Sequence, residues 1–240
     1  TLYSRATLKD SYVYNNKSDN GAVYTGGTNA SNIAKVLNVR FEGNTYNTKI
    51  ENGVGLRANQ YSNIQACEFY NNSSKKDTDM GRGSAIYSHT ATNEFYHCLI
   101  YNNDGLPVFL NGGKFLNATI ANNRCNEAIY LAGTDRENVV ANCLVIGNRT
   151  IEDKPAKAVD IASAENAGNT VASLGTDYKW ESTPSYIKNV YTMTADEVKF
   201  VAPTDFVGIS TTDEQKEMFS AEGWKVEGTS EIINKGDNSF

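Results

Sequence analysis

Apolar and polar residues alternate in short phrases that recur along the first two thirds of the chain, and each phrase ends in an asparagine. Aligning the phrases on that asparagine gives six copies, with apolar or small residues at most of the positions eight, five and three before it. An alternation with a period of two predicts short β-strands and excludes a helical repeat, whose period is about 3.6 residues. The aligned asparagines are Asn16, Asn44, Asn72, Asn103, Asn123 and Asn148.

Three columns of this alignment supply the predicted core. The column eight positions before the asparagine holds Leu8, Val36, Ile64, Phe95, Phe115 and Val140. The column five before it holds Ser11, Val39, Cys67, Cys98, Ala118 and Cys143, and the column three before it holds Val13, Phe41, Phe69, Ile100, Ile120 and Val145. Because the cysteines share a column with alanine and serine, we interpret them as small inward-facing residues rather than as redox or nucleophilic groups.

A second short run follows each asparagine after a gap of variable length. A unit with two such short strands can bury its apolar face only against identical neighbours. We therefore predict an all-β fold, a right-handed single-stranded parallel β-helix with one coil per repeat and about six to seven coils. A propeller blade of about 40–45 residues does not fit the shortest repeats. The runs are AVYT (22–25), GVGL (53–56), AIYS (85–88), PVFL (107–110), AIYL (128–131) and AVDI (158–161).

The aligned asparagines are predicted to lie at corners of the coils. Asparagine tolerates a left-handed backbone, and its side chain bonds nearby backbone groups. Stacked coils would let these side chains bond one another as a ladder. A second corner column, six positions before the asparagine, contains His97 together with Asn38, Asn117 and Asn142. We interpret His97 as a hydrogen-bonding corner residue rather than a catalytic base.

These phrases resemble the right-handed β-helix proteins of the pectin-lyase-like superfamily, especially the extracellular repeat proteins of Bacteroides-type bacteria. The matching segments are GSAIYS, NEAIYLA and FYNN, and the ending SEIINKGDNSF is similar to the SPAIDAGD phrase of many such proteins. The resemblance covers about residues 6–165 and implies an extracellular or bacterial cell-surface protein. It indicates little about activity, because the superfamily includes lyases, hydrolases, adhesins and structural stalks.

Beyond residue 165 the repeat fades. SYIKNVYTM and VKFVAP are predicted as strands, and TTDEQKEMFSAEGW as a short helix with a capping box from Thr211 and Glu214 and a C-cap at Gly223. An open solenoid end exposes apolar surface and strand edges. We therefore assign residues 1–175 to the repeats and 176–240 to a last coil and a small C-terminal cap that contains the helix.

Composition narrows the classes of partner. The net charge is −6 and no basic stripe occurs, which argues against a nucleic-acid partner. No apolar run approaches the roughly 18–20 residues of a membrane-spanning helix. The four cysteines lack the CxxC spacing of zinc or redox sites. The opening TLYSRATLKD lacks the pattern of a signal peptide, so we expect a mature piece or a fragment of a longer chain.

One outward column suggests a function. Successive coils stack about 4.8 Å apart, so aromatic residues at one position form a row along the rod. Such a row suits contact with an extended polysaccharide. We therefore expect a non-catalytic, adhesin-like protein that binds a polysaccharide or cell-surface glycan. The column contains Tyr24, Gly55, Tyr87, Phe109, Tyr130 and Asp160, of which all but Gly55 are candidate glycan-binding residues.

An enzyme remains the alternative, and a purely structural stalk the third possibility. The resemblance implies that a lyase would use a lysine or arginine base beside a calcium ion. The weak candidates are Lys76 and Arg82 for the base and Asp77 and Asp79 for calcium, all within the loop 73–83. No other cofactor is expected. An inverting hydrolase needs two carboxylates that face one cleft, and Asp160 stands alone in its column.

Overall fold

The predicted solenoid is confirmed by a computed structural model, which describes residues 1–46, 53–74, 81–132, 136–162, 168–208, 219–230, 232 and 235–239. Its strands form two long parallel sheets. The first sheet contains, in spatial order, β1 (Leu2–Tyr3), β3 (Val23–Gly26), β5 (Leu56–Ala58), β8 (Ile86–Ser88), β11 (Val108–Leu110), β14 (Glu127–Leu131) and β16 (Lys157–Ile161).

The second sheet supplies the other side of each coil. It contains β2 (Thr7–Tyr14), β4 (Ala34–Glu42), β6 (Ser62–Gln65), β7 (Glu68–Tyr70), β9 (Glu94–Tyr96), β10 (Leu99–Tyr101), β12 (Gly113–Leu116), β13 (Thr119–Ala121), β15 (Asn138–Ile146), β17 (Asn169–Thr176) and β18 (Ile187–Thr192). Each first-sheet strand leads into the next second-sheet stretch. Coils 1 to 7 therefore begin at β1, β3, β5, β8, β11, β14 and β16, and β18 continues the second sheet beyond coil 7.

The core lies between the two sheets and contains the predicted columns. Phe41, Phe69, Phe95 and Phe115 are fully buried, and the rings of Phe41 and Phe69 stack with centroids 4.5 Å apart. The cysteines also point inward and are free thiols. Burial raises the pKa of Cys143 to about 12, which keeps its thiol protonated and unreactive. These contacts fit the structural interpretation of the cysteine column.

The six aligned asparagines form the predicted ladder. In each step the Nδ2 group donates to the Oδ1 atom of the next asparagine over 2.9–3.0 Å, and the backbone N–H donates to the same oxygen. Asn44, Asn72 and Asn103 are fully buried, so these bonds satisfy amides that would otherwise be costly to bury.

The sequence predicted a left-handed backbone at the ladder asparagines themselves. The structure instead places it at the residue before each one. Those residues have φ of 49–67° and are Asn15, Gly43, Asn71, Asn102, Asn122 and Gly147. The ladder asparagine must turn its side chain inward, and the preceding residue makes the corner. The second corner column is also left-handed, and His97 has φ of 54° there.

The residues after coil 7 cover both an end and a side of the solenoid. Tyr178, Trp180 and Tyr186 pack against the main core near its C-terminal end. Residues 193–208 and 219–230, which we call the strap, return along the outer face of the second sheet. There, Val198, Phe200 and Trp224 of the strap pack with outward residues of coils 3 to 6.

Local structure in the strap differs from the prediction. The α-helix is Ala195–Val198, with a capping box from Thr194 and Glu197, and a 3₁₀ helix spans Ala221–Trp224. Gly223 therefore lies inside a helical turn and is not a C-cap. VKFVAP contributes only a bridge from Phe200 to Val226 rather than a strand. Residues 211–218 of the predicted helix lie outside the described residues.

Backbone groups of the strap are held by corner asparagines. Asn102 accepts a bond from Val207 N–H over 2.8 Å and donates to the carbonyl of Gly208, while Asn122 donates to that of Thr204. The strap is thus attached to residues that also shape the coils. Within the described ranges, the structure contains no helix with the length and apolar character needed to cross a membrane.

Candidate functional site

The predicted aromatic column exists on the outer face of the first sheet, with one residue corrected. Strand pairing places Val23 opposite Leu56, so the residue opposite Tyr24 is Arg57 and not Gly55. Gly55 faces the neighbouring backbone, where an added Cβ atom would approach the carbonyl oxygen of Ala85 to 2.6 Å. The column is Tyr24, Arg57, Tyr87, Phe109, Tyr130 and Asp160.

The rings in the middle of the column face one another. The centroids of Tyr87 and Phe109 are 4.9 Å apart with planes 3° apart, and Phe109 lies 5.5 Å from Tyr130 with planes 24° apart. Tyr87 and Phe109 are each only 5% exposed. The expectation of a row of exposed rings is therefore wrong at these two positions, because their faces are already occupied by each other.

Two arginines cover parts of the stack. The guanidinium carbon of Arg57 lies 5.3 Å from the ring centroid of Tyr24 and 5.8 Å from that of Tyr87. That of Arg82 lies 5.3 Å from the centroid of Phe109. These are cation–π distances. The arginines thus account for part of the burial of the rings and give this face a positive region.

Tyr130 ends the stack and borders an open cleft of about 380 Å³. Its neighbour in coil 7 is Asp160 rather than an aromatic residue, so no ring lies beyond Tyr130 in the column. Tyr130 is partly exposed. The cleft is also lined by Arg82, Leu106, Asn111, Glu127 and Ala162.

Asp160 is the only carboxylate in its column, as expected, but Glu127 of the neighbouring coil lies close enough for the two charges to interact. Burial and the negative charge of Asp160 raise the pKa of Glu127, and Lys157 partly opposes the shift. Lys157 pairs with Glu127 across the strands, and its Nζ atom lies 3.2 Å from Oδ2 of Asp160. A carboxyl whose pKa is raised keeps its proton to higher pH, which allows it to donate that proton to a bound ligand.

Sequence reasoning missed Arg57 and Glu127 for different reasons. Aligning LRA (56–58) with VYT (23–25) places Arg57 in the column. The loop before this coil varies in length, however, and the glycines of GVGL (53–56) favour the wrong register. Glu127 is three residues before Tyr130, and strict alternation would place these side chains on opposite faces. Glu127 and Tyr130 nevertheless line the same cleft.

Only one of the four residues suggested for a lyase can be placed in the structure. Arg82 is exposed and lines the cleft, whereas Lys76, Asp77 and Asp79 lie outside the described residues. Across the part of the chain that the structure describes, no group of three or more histidine, cysteine, aspartate or glutamate residues could hold a metal ion.

Two parallel sheets, an inward cysteine and aromatic core and a continuous asparagine ladder define a β-helix solenoid. The chain belongs to the family described as right handed beta helix region, which matches residues 2–173. Comparisons with curated proteins and with solved structures give no significant match. The family establishes the fold, and any activity must be argued from the cleft itself.

Proposed function

We propose that this protein is an extracellular or cell-surface β-helix protein that binds a glycan, without catalysis, in the cleft beside Tyr130. The observation that carries the proposal is a partly exposed ring at the end of a buried stack, within a cleft that also contains charged and amide side chains. Sugar rings combine an apolar C–H face with hydroxyl groups, so both kinds of surface are needed to hold them.

The polar groups of the cleft suit a sugar. Arg82 and the amide of Asn111 provide hydrogen-bond donors, and Glu127 provides acceptor oxygens. A hydroxyl both donates and accepts, so it can bond to either kind of group. The stack behind Tyr130 holds its ring in place, which reduces the entropy lost on binding.

The solenoid gives this site a rigid support. Each coil is joined to its neighbours by two parallel sheets and the asparagine ladder, so the cleft is built on strands rather than on loops alone. A rigid rod that presents a glycan site suits an adhesin-like protein outside the cell. The resemblance to extracellular repeat proteins supports this location.

The test is affinity electrophoresis through gels that contain a panel of neutral and acidic polysaccharides. Tyr130→Ala should weaken binding to a retarding glycan by about 2- to 12-fold, the equivalent of about 0.5–1.5 kcal/mol for one aromatic contact. Tyr14→Ala is the matched control, because Tyr14 is 56% exposed and lies on the other sheet. Tyr87 is a poorer target, because it is buried.

Two results would contradict the proposal. One is the absence of retardation of the wild-type protein by every polysaccharide in the panel. The other is equal retardation of wild type and Tyr130→Ala, which would leave the structural stalk as the better account.

Hydrolysis is the second candidate, and it is favoured by Glu127, a carboxyl that lines the cleft and whose pKa is raised by burial and by the charge of Asp160. In this reaction Glu127, whose pKa is raised, would protonate the leaving oxygen, and Asp160 would take the proton of the attacking water. Incubation with the same panel would then release reducing ends, and Glu127→Gln would abolish the release while keeping most of the retardation in the gel, because the amide retains one acceptor oxygen. Unsaturated products would indicate a lyase instead, with Arg82 as the candidate base.

A further inference from the structure

A second, larger cleft lies on another side of the solenoid, between the strap and the turns that end coils 5, 6 and 7. Its volume is about 900 Å³. The coils contribute Arg124, Arg149 and the turn after it, and the strap contributes Phe206 and Trp224. We call it the strap cleft. Its volume is in the upper part of the range typical of small-ligand sites.

One wall of the strap cleft contains a buried indole with an unsatisfied donor. Trp224 is 4% exposed and is held by the rings of Tyr101 and Phe200, whose centroids both lie 5.2 Å away. In the described part of the chain, its Nε1–H group has no hydrogen-bond acceptor. A buried N–H without an acceptor is unfavourable, and this one belongs to a side chain that lines the strap cleft.

A second aromatic side chain is fixed at the cleft. The guanidinium of Arg124 lies 4.9 Å from the centroid of Phe206, and Asp104 holds that guanidinium through two bonds, one of them from Nε over 3.0 Å. Phe206 is therefore positioned by a buried acid and its arginine. It provides apolar surface that suits the C–H face of a sugar ring.

The strap cleft carries charges of both signs, and of its basic groups Arg124 is already paired with Asp104. Besides Arg124, the basic residues Arg149 and Lys179 line it, and both are exposed. Four carboxylates line it as well, namely Asp153, Asp177, Asp196 and Asp205. An anionic ligand would meet the four carboxylates, and a cationic one would meet the exposed Arg149 and Lys179. A neutral ligand with many hydroxyls can instead donate to the carboxylates and accept from the basic groups.

From these features we infer that the strap cleft is a second carbohydrate site, which takes a neutral oligosaccharide of about two to four units. This inference extends the proposed function. It rests on that function only because both sites are proposed to bind sugars. It differs in position, because it is formed by the coil-ending turns and the strap rather than by the first sheet. It also predicts a class of glycan, which the cleft beside Tyr130 does not.

The two tryptophans of the chain make a direct test possible. In a ¹⁵N-labelled protein the two indole N–H signals are assigned with Trp180→Phe, which leaves that of Trp224. The probes are cellotetraose, mannotetraose and xylotetraose, with tetragalacturonate as the acidic comparison. We expect at least one neutral tetramer to shift the Trp224 indole signal in a saturable titration.

Two variants test the cleft, and two others serve as controls. Arg149→Ala should raise the dissociation constant from that titration at least fivefold, and because Arg149 is exposed this change should leave the fold intact. Phe206→Ala should have a similar effect. Lys17→Ala should change nothing, since Lys17 occupies the same column as Arg149 at the far end of the rod. Tyr130→Ala should also leave the titration unchanged.

The outcomes separate this inference from the proposed function. A saturable shift that Arg149→Ala weakens and Tyr130→Ala spares supports the strap cleft, even if the gels show no role for Tyr130. The inference is overturned if no neutral tetramer shifts the signal or if only tetragalacturonate does. It is equally overturned if Tyr130→Ala removes the shift, because the sugar would then bind in the first cleft.

Discussion

The two outer faces of the solenoid carry the same kind of aromatic column but use it in different ways. On the second sheet Tyr70 and Tyr101 stack with centroids 5.3 Å apart and planes 10° apart. The strap adds Phe219 and Trp224, and Tyr101 becomes fully buried. On the first sheet the stack is covered by arginines, and a cleft remains beside Tyr130.

The carboxylates next to the two aromatic columns also differ in how they are bonded. Under the strap, the hydroxyl of Tyr101 donates to Oε1 of Glu68 over 2.6 Å, and Arg40 pairs with Oε2 of the same residue at 2.9 Å. In the open cleft, Glu127 has a raised pKa beside Asp160. A stacked aromatic column is therefore a packing feature of the repeat. It borders a candidate site only where no distant part of the chain covers it.

The largest expected effect tests the covered face. Tyr101→Ala should lower the free energy of unfolding by about 3–5 kcal/mol, the usual cost of truncating a buried aromatic side chain. It removes the stack with Tyr70 and Trp224 and leaves Glu68 with one bond fewer. Urea denaturation followed by circular dichroism measures the change. A loss below about 1 kcal/mol would mean that the strap contributes little at this ring.

The attachment of the strap should have an intermediate effect. Asn102→Gly keeps the left-handed backbone but removes the bonds to residues 207 and 208 and the bond to Asn71 in the neighbouring coil. We expect a loss of about 1.5–4.5 kcal/mol, from three hydrogen bonds of about 0.5–1.5 kcal/mol each, and faster proteolysis within the strap. Asn15→Gly is the control, since Asn15 occupies the same corner of coil 1. Equal proteolysis of the two variants would contradict the attachment.

The open face should be more tolerant. Tyr130→Ala is expected to lower the free energy of unfolding by only about 0.5–1.5 kcal/mol, the value of one aromatic pair beyond area burial. The ring is partly exposed and stacks on one neighbour, Phe109. The same urea measurement applies. A loss as large as that of Tyr101→Ala would show that both columns are structural, which would weaken the glycan proposal.

The smallest effect concerns pH. Because the pKa of Glu127 is higher in the folded state than in the unfolded chain, the folded state binds its proton more readily, and stability falls as pH rises between the two values. Glu127→Gln removes this dependence. Its thermal midpoint relative to wild type should therefore be higher at about pH 7 than at about pH 4. The opposite ordering would mean that Lys157 outweighs burial and Asp160.

Much of the fold could be predicted because each coil repeats the same local information. The alternation in the columns of Phe69 and Cys98 places them inside, and the recurring asparagine predicts the ladder. Errors arose where the repeat is interrupted. The loop before coil 3 obscured the register at Arg57, and the corner was placed one residue too late because both Asn71 and Asn72 fit the pattern.

The candidate sites were less predictable, because they depend on contacts between distant residues. Glu127 and Asp160 come from neighbouring coils, and their proximity follows from the pairing of β14 with β16. The strap cleft depends on contacts such as that between Arg124 and Phe206, for which no local pattern exists. The strap itself follows no repeat, so its helix at Ala195–Val198 and its path were not predicted.

The sequence by itself determined that this protein is a parallel β-helix, which side chains fill its core and which asparagines join its coils. Those properties repeat at short range, and identical neighbours bury one another's apolar faces. Only the tertiary structure decided which outer face is covered. The bonds from Asn102 and Asn122 to the strap join residues more than 80 positions apart, and they bury one aromatic column while the other borders an open cleft.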